Sequence, residues 1–231
     1  MTSFDFSPDP LLTANIENSI LRHAAEILED EREGIFVYDR EGELYMLYAP
    51  AELGKRWLQK HEDRHYECLI LYDDALITWA AERYGFIIDE KCASAVWTKA
   101  ELPRFERRLT LRRALESEFS FCREIYRHSS DSDVREALRR GNVLLGFLDS
   151  TLVGMIGLHA EGSMGMLEVL PEYRCCGFGT ELELTMVTLQ LERGLIPYSH
   201  VYRSNHASLA LHEHLGMRVS QGSLTWLYFD D

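Results

Sequence analysis

The stretch 164–191, MGMLEVLPEYRCCGFGTELELTMVTLQL, changes hydrophobic period at a pair of glycines. Before Pro171 it reads as a strand. After Gly179 its apolar residues Leu182, Met186, Leu189 and Leu191 fall at helical spacing. A strand that enters a helix through a glycine-bearing turn narrows the choice of fold, because it sets the end of a strand against the start of a helix. Strand alternation predicts Met164, Met166, Glu168 and Leu170 on one face and Leu167 and Val169 on the other.

The surrounding pattern extends this reading. NVLLGFLDS, TLVGMIGLHA and SMGMLEVLP are three strands joined by turns at Asp149–Ser150 and Glu161–Gly162. PYSHVYR is a strand, SNHASLALHEHLG a helix, and MRVSQGSLTWLYFD closing strand material. Upstream, 11–33 places Leu11, Leu12, Ile16, Ile20, Ala24, Ile27 and Leu28 at helical spacing and is expected to be one amphipathic helix. A hairpin is expected about Arg40–Gly42, a helix at PAELGKRWLQKH, a strand at YECLILY and a helix over DDALITWAAERYG. A polar stretch after Leu102–Pro103 suggests a boundary, giving domains 1–105 and 106–231. The expected class is α/β (α+β): a mixed, mostly antiparallel sheet flanked by helices in each part.

Residues 68–97 also lie over 199–228 without a gap, at an offset of 131. AAERYGFIIDEKCASAVW sits on LHEHLGMRVSQGSLTWLY. Identities are few, but the order strand, helix, Gly, strand is kept, which points to an internal repeat.

Composition removes several classes of function. Asp and Glu number 38 against 24 Lys and Arg, net −14, a poor balance for nucleic-acid binding. Such a chain tolerates a cationic substrate, and the acid also serves solubility. No stretch approaches the ~18–20 apolar residues of a membrane span. MTSFDFSPDPLL lacks the basic-then-apolar pattern of a signal. Five scattered cysteines do not make a disulfide framework and suit a reducing interior, so a cytoplasmic protein is expected.

The glycine turn leaves two readings open. Cys175 and Cys176 are adjacent, whereas zinc sites use spaced pairs, and His212 and His214 are two apart and share no helix face. No metal is expected. The glycines make the stronger case. Free backbone N–H groups at a helix start, with the positive end of its dipole, form an anion site suited to phosphate. The run has neither the Walker G-K-[ST] nor the dinucleotide G-x-G-x-x-G pattern.

The longer context is V-x-P-x-x-R-x-x-G-x-G-T, carried by Val169, Pro171, Arg174, Gly177, Gly179 and Thr180. Here the chain resembles the GNAT superfamily of acyl-CoA N-acyltransferases. The resemblance continues in NHASLALHEHLGM, through Asn205, Ser208, Leu211, Leu215, Gly216 and Met217, and covers about 106–231. The closing segment looks most like the glycine N-acyltransferase-like branch. The resemblance implies that Val169, Leu170, Arg174, Cys175, Cys176, Gly177, Phe178, Gly179 and Thr180 hold acetyl-CoA or another acyl-CoA as co-substrate, with Asn205 and Ser208 beside it. A backbone N–H near Val169–Leu170 is then the oxyanion donor. His212 stands where many relatives carry a tyrosine that protonates the leaving thiolate.

The catalytic candidates are Glu168 as base, with Glu161 in reserve, His212 as acid, and Tyr202 or Tyr198 as further donors. The expected acceptor is a small-molecule amine or amino acid rather than a protein. A glycine-like acceptor wants a cation, for which Arg203 and Arg218 are available. A non-catalytic acyl-CoA-binding module is the alternative. A monomer and a homodimer both remain open. In the first half APAELGKRW falls where LPEYRCCGFG lies, with Leu53 in the arginine slot and only Gly54, so that half is read as a degenerate GNAT-like domain without CoA. An unrelated α/β cap is the alternative there.

Overall fold

A computed structural model describes residues 2–229. The first half runs α1 (Ala14–Leu21), β1 (Ala25–Glu31), β2 (Gly34–Asp39), β3 (Leu44–Tyr48), α2 (Ala51–Lys60), β4 (Cys68–Leu71), α3 (Asp74–Tyr84), β5 (Ile87–Ile88) and β6 (Cys92–Val96). The second runs β7 (Thr110–Arg113), α4 (Phe119–Ile125), α5 (Asp131–Arg139), β8 (Val143–Leu148), β9 (Thr151–Leu158), β10 (Met164–Val169), α6 (Phe178–Glu192), β11 (Tyr198–Tyr202), α7 (His206–Leu215), β12 (Arg218–Val219) and β13 (Thr225–Tyr228). This is the expected mixed α/β architecture, mostly antiparallel, with helices packed on the sheets.

Element boundaries follow the 131-residue offset. β4, α3 and β5 fall on β11, α7 and β12, within a residue at each end. Gly85 and Gly216 end their helices in the same left-handed conformation, φ 81° and 86°, which satisfies the last carbonyls at little cost.

The halves do not close separately. β13, from the end of the chain, inserts antiparallel between β4 and β5 in a sheet ordered β1-β2-β3-β4-β13-β5. In return β6 inserts between β11 and β12. Each half therefore satisfies its backbone with the other's last strand. The third sheet, β10-β9-β8-β7, belongs to the second half alone. Arg22 adds a further tie, pairing with buried Asp39 at 2.5 Å while donating to the Glu161 carbonyl at 2.7 Å.

The single helix expected over 11–33 is not formed. α1 ends at Leu21, His23 takes a left-handed φ of 59°, and Ala25–Glu31 becomes the edge strand β1, paired with β2. The ladder with β2 outweighs the helical spacing of Ile27 and Leu28. Such tertiary pairing commonly overrides weak local propensity.

Candidate functional site

β10 sits at the edge of its sheet with β9 as its sole partner, and β11 begins a separate sheet. The two strands part rather than pair. The cause is visible in register: Gly165 pairs with Gly157 and Glu168 with Met155, so Met166 and Leu167 together oppose Ile156. Met166 takes a φ of 50°, and the extra residue bends the strand away as a β-bulge does.

The bulge also corrects the predicted alternation. Met164 packs with Leu167 and Val169 in the α6 core, whereas Met166 packs against Val143, Leu145 and Met155 on the α4–α5 face. Glu168, between Leu167 and Val169, is left on the face away from α6.

One backbone group at the open edge can be assigned. The Leu170 N–H donates to the Val153 carbonyl at 2.8 Å, so Leu170 is spoken for. In an antiparallel ladder the preceding residue then points its N–H and C=O to the opposite edge. The Val169 carbonyl does so and meets Arg174 Nε at 2.9 Å. Of the expected pair, Val169 alone keeps an N–H on the open side.

From β10 the chain passes a short 3-10 turn at Pro171–Tyr173 and enters α6 through Gly177, its N-cap, at φ 84°. No side chain caps this helix. The first intrahelical bond is Glu181 N–H to the Gly177 carbonyl, so the N–H groups of Phe178, Gly179 and Thr180 precede the ladder. Gly179 lies against β10, where an added Cβ would stand 3.6 Å from Val169. Arg174 turns back onto β10 and pairs with Glu168 at 2.8 Å. Cys175 and Cys176 are exposed. Burial instead pushes the Cys68 and Cys92 thiols up to about 12, and Cys122 to about 11.

The remaining candidates separate. Asn205 caps α7, accepting the Ser208 N–H at 3.1 Å. His212 is buried at 4% exposure between α7 and α6, with Nδ1 2.7 Å from the Ser208 carbonyl and Nε2 3.3 Å from Glu183. Burial opposes its charge, yet the contact and charge of Glu183 and the Ser208 carbonyl leave its pKa raised. Tyr202 faces away from α6, donates to Asp89 at 2.8 Å, and has its pKa raised by burial and that bond. Tyr198 is buried and donates to the Glu161 carbonyl, and Glu161 itself is buried. Arg203 is pinned to Ser223 and the carbonyls of Ser220, Gln221 and Gly222, while Arg218 is exposed.

Sequence reasoning missed four features. Arg108 braces the loop: it donates to the Cys176 carbonyl at 3.0 Å and stacks on Phe178 at 4.4 Å. Buried Glu181 accepts the Arg108 and Leu109 N–H groups at 2.7 Å each, tying α6 to the approach to β7. A cavity of about 540 Å³ opens beside Glu168, walled by Phe121, His128, Val169, Leu170 and Arg174. Lastly, His200 on β11 has both ring nitrogens buried without a partner among the described residues. No local pattern announces these, since each depends on residues distant in sequence. Among the described residues no helix is long and apolar enough to cross a membrane, and no group of three or more His, Cys, Asp or Glu is placed to hold a metal.

The family model for the acetyltransferase (GNAT) family matches residues 109–217. No curated protein matches the chain in sequence. Among solved structures, a Drosophila protein superposes with a TM-score of 0.62 at 17% identity, over 85% of this chain and 74% of that one. A GCN5-related N-acetyltransferase from Kribbella flavida gives 0.55 at 12% identity, over 93% and 92%. A GCN5-related N-acetyltransferase-like protein from Streptococcus suis gives 0.53 at 14% identity, over 97% and 98%. At such identities the likeness is one of fold. The sequence likeness to the acetyltransferase (GNAT) family is confined to residues 109–217, in the second half of the chain, and the likeness of fold extends over most of it.

Proposed function

We propose that the protein is an N-acyltransferase, most suited to acetyl transfer from acetyl-CoA to a primary amine. The observation that carries this is the unpaired edge of β10 leading into an uncapped α6. These residues fit the co-substrate. The N–H groups of Phe178, Gly179 and Thr180, with the guanidinium groups of Arg108 and Arg174 nearby, suit a pyrophosphate. The open β10 edge suits an extended amide-bearing arm, which pairs as an added strand.

Acetyl-CoA supplies the activated acyl carbonyl. The Val169 N–H is the donor for that carbonyl oxygen. Glu168, at the cavity on the acceptor face and held by Arg174, takes the proton that a protonated amine must lose before attack. Tyr202 lies on that face too, its hydroxyl steadied by Asp89. The first half is a degenerate copy that shapes the acceptor side and holds no CoA.

Gly177→Glu tests the loop. It forces a side chain into a left-handed position, 3.2 Å from Arg108, and sets a carboxylate at the anion site. Calorimetry is expected to show acetyl-CoA binding in wild type and at least ~100-fold weaker binding in the variant, ~2.7 kcal/mol, with the circular dichroism unchanged. Unaltered binding would mean that the phosphates lie elsewhere.

A second reading, binding of acyl-CoA without turnover, draws on His212 being directed into the α6–α7 interface against Glu183. Loss of thioester absorbance on adding amines separates the two.

A further inference from the structure

The first half keeps a cavity where the second half has its own. At the end of β3, Tyr48 pairs with Ile35 as Val169 pairs with Gly154 at the end of β10. Two residues back along the neighbouring strand, this sets Glu33 against Leu152. One and two residues onward it sets Ala49 and Pro50 against Leu170 and Pro171. Leu152, Val169, Leu170 and Pro171 all line the cavity beside Glu168. Their counterparts Glu33, Tyr48, Ala49 and Pro50 all line a cavity of about 620 Å³, to which the segment 4–12 adds a further wall. What differs is the connection that follows. After Pro50 the chain runs straight into α2, with Leu53 buried, where the second half makes its glycine turn.

This first-half cavity is open to solvent. Asp5, Pro8, Arg32, Glu33 and Pro50 are exposed around it, while Phe4, Leu12 and Ala49 are buried. Its size lies within the about 300–1,000 Å³ of small-molecule sites. Three aromatic rings line it. Tyr48 meets Phe4 at 5.6 Å and Tyr72 at 5.2 Å, centroid to centroid, edge to face in both cases. The Tyr72 hydroxyl donates to Asn15 at 2.9 Å, which fixes that ring. Burial, and then the Asp9 charge, raises the Tyr48 pKa and keeps its hydroxyl neutral. The charge of the lining is one-sided: Asp5, Asp9, Glu33 and Asp73 against one cation, Arg32. Asp9 accepts the Leu12 N–H at 3.3 Å, and Asp73 accepts those of Ala75 and Leu76 at 3.0 Å each. Hydrogen bonds from Ser7, and then the charge of Arg32, lower the Asp5 pKa. Among the described residues none of the four carboxylates forms a salt bridge. The second-half cavity is mixed by contrast, with Glu124 and Glu168 beside Arg127 and Arg174. Carboxylates without a cation, next to aromatic rings, attract an organic cation through both its charge and the negative faces of the rings.

We propose that the first-half cavity binds a small organic cation, an ammonium group bearing an aromatic or alkyl substituent, and binds it without acylating it. Phe4, Tyr48 and Tyr72 receive the substituent and the carbon atoms around the charge. Asp5, Asp9, Glu33 and Asp73 supply the opposite charge. The site goes beyond the acyl-transfer reading above and does not depend on it, since it uses no residue of the second half.

The test uses the full chain and benzyltrimethylammonium, a quaternary cation with no N–H to acylate, so that binding is read apart from turnover. Calorimetry at low salt is expected to give a Kd of about 1 mM or tighter, and at least ~10-fold weaker binding of phenylacetate, an anion of similar build. Tyr48→Leu, which removes the ring and keeps an apolar side chain, should weaken the cation at least ~10-fold. Asp5→Asn combined with Glu33→Gln, both at the exposed rim, should weaken it at least ~3-fold and flatten its dependence on salt. Phe121→Ala, in the second-half cavity, should leave its affinity within about twofold. Circular dichroism checks the fold of each variant, and the rim pair carries the test if Tyr48→Leu does not fold. Failure of wild type to bind the cation, equal binding of phenylacetate, or unchanged affinity in the rim pair or in folded Tyr48→Leu overturns the proposal. A loss of affinity in Phe121→Ala overturns it as well, by moving the cation to the second-half cavity.

Discussion

Two strand pairs of this chain differ in one respect, one being closed and the other open. In the first half β3 and β4 run parallel and pair through Tyr45–Leu69, Met46–Ile70 and Leu47–Leu71. β3 keeps an unbroken register with β2. In the second half β10 carries the bulge and does not pair with β11, which pairs with β6 instead. The connections differ likewise. After β3 the chain enters α2 at Pro50, and Leu53 is buried in the core. After β10 it makes an exposed glycine turn. One extra residue in one strand thus separates a closed sheet from an open strand edge. The closed copy gains ladder bonds and buried leucines, each contributing about 1.5–3 kcal/mol. The open copy forgoes ladder bonds at an edge where a ligand can supply them.

The comparison can be broken most severely by cutting between residues 105 and 106. If the halves were independent, each fragment would fold. The exchange of β6 and β13 predicts that neither does, since each lacks a strand and exposes another. Circular dichroism should show both fragments largely unstructured and structure returning on mixing. Two separately folded fragments would refute this.

Deleting Met166 sharpens the contrast next. It removes the extra residue while leaving Met164, Leu167 and Val169 on their present face. The expected outcome is at least tenfold weaker acetyl-CoA binding, ~1.4 kcal/mol. Loss of a buried methionine should also cost about 2–5 kcal/mol of stability by urea unfolding. Undiminished affinity would show that the bulge does not open the cleft. Leu47→Ala is the converse test in the closed copy. It should cost about 2–5 kcal/mol of stability and leave acetyl-CoA affinity within about twofold. A large loss of affinity would mean that the first half takes part in binding.

The smallest effect concerns His212 and Glu183. A histidine with a raised folded-state pKa adds stability that is fully present below its ordinary value of about 6.5 and is lost as pH rises through the folded value. Wild type should therefore lose thermal midpoint as pH rises above about 6.5 more steeply than Glu183→Gln. Parallel curves would show that the pair does not couple to folding.

Much of this was legible from residues alone. The offset of 131, the hairpin turns, the α6 and α7 helices and the glycine loop all depend on local periodicity and turn chemistry. The stretch 11–33 misled because helical spacing holds through Leu28, while the partner that claims Ala25–Glu31 lies across a hairpin. Asn205 stood out in the sequence as a possible ligand group, and the structure shows it capping a helix.

The sequence by itself determined the period of each element and the chemistry offered at Gly177, Gly179 and Glu168. Tertiary structure alone decided where strands β6 and β13 go, because pairing partners are chosen by whichever unpaired edge is nearest in space. It decided that Arg108 reaches the loop, that Glu183 meets His212, and that the His200 ring nitrogens are buried with no hydrogen-bond partner among the described residues. It also decided which face Met166 takes. A bulge arises from the mismatch between two strands, and neither strand records that mismatch alone.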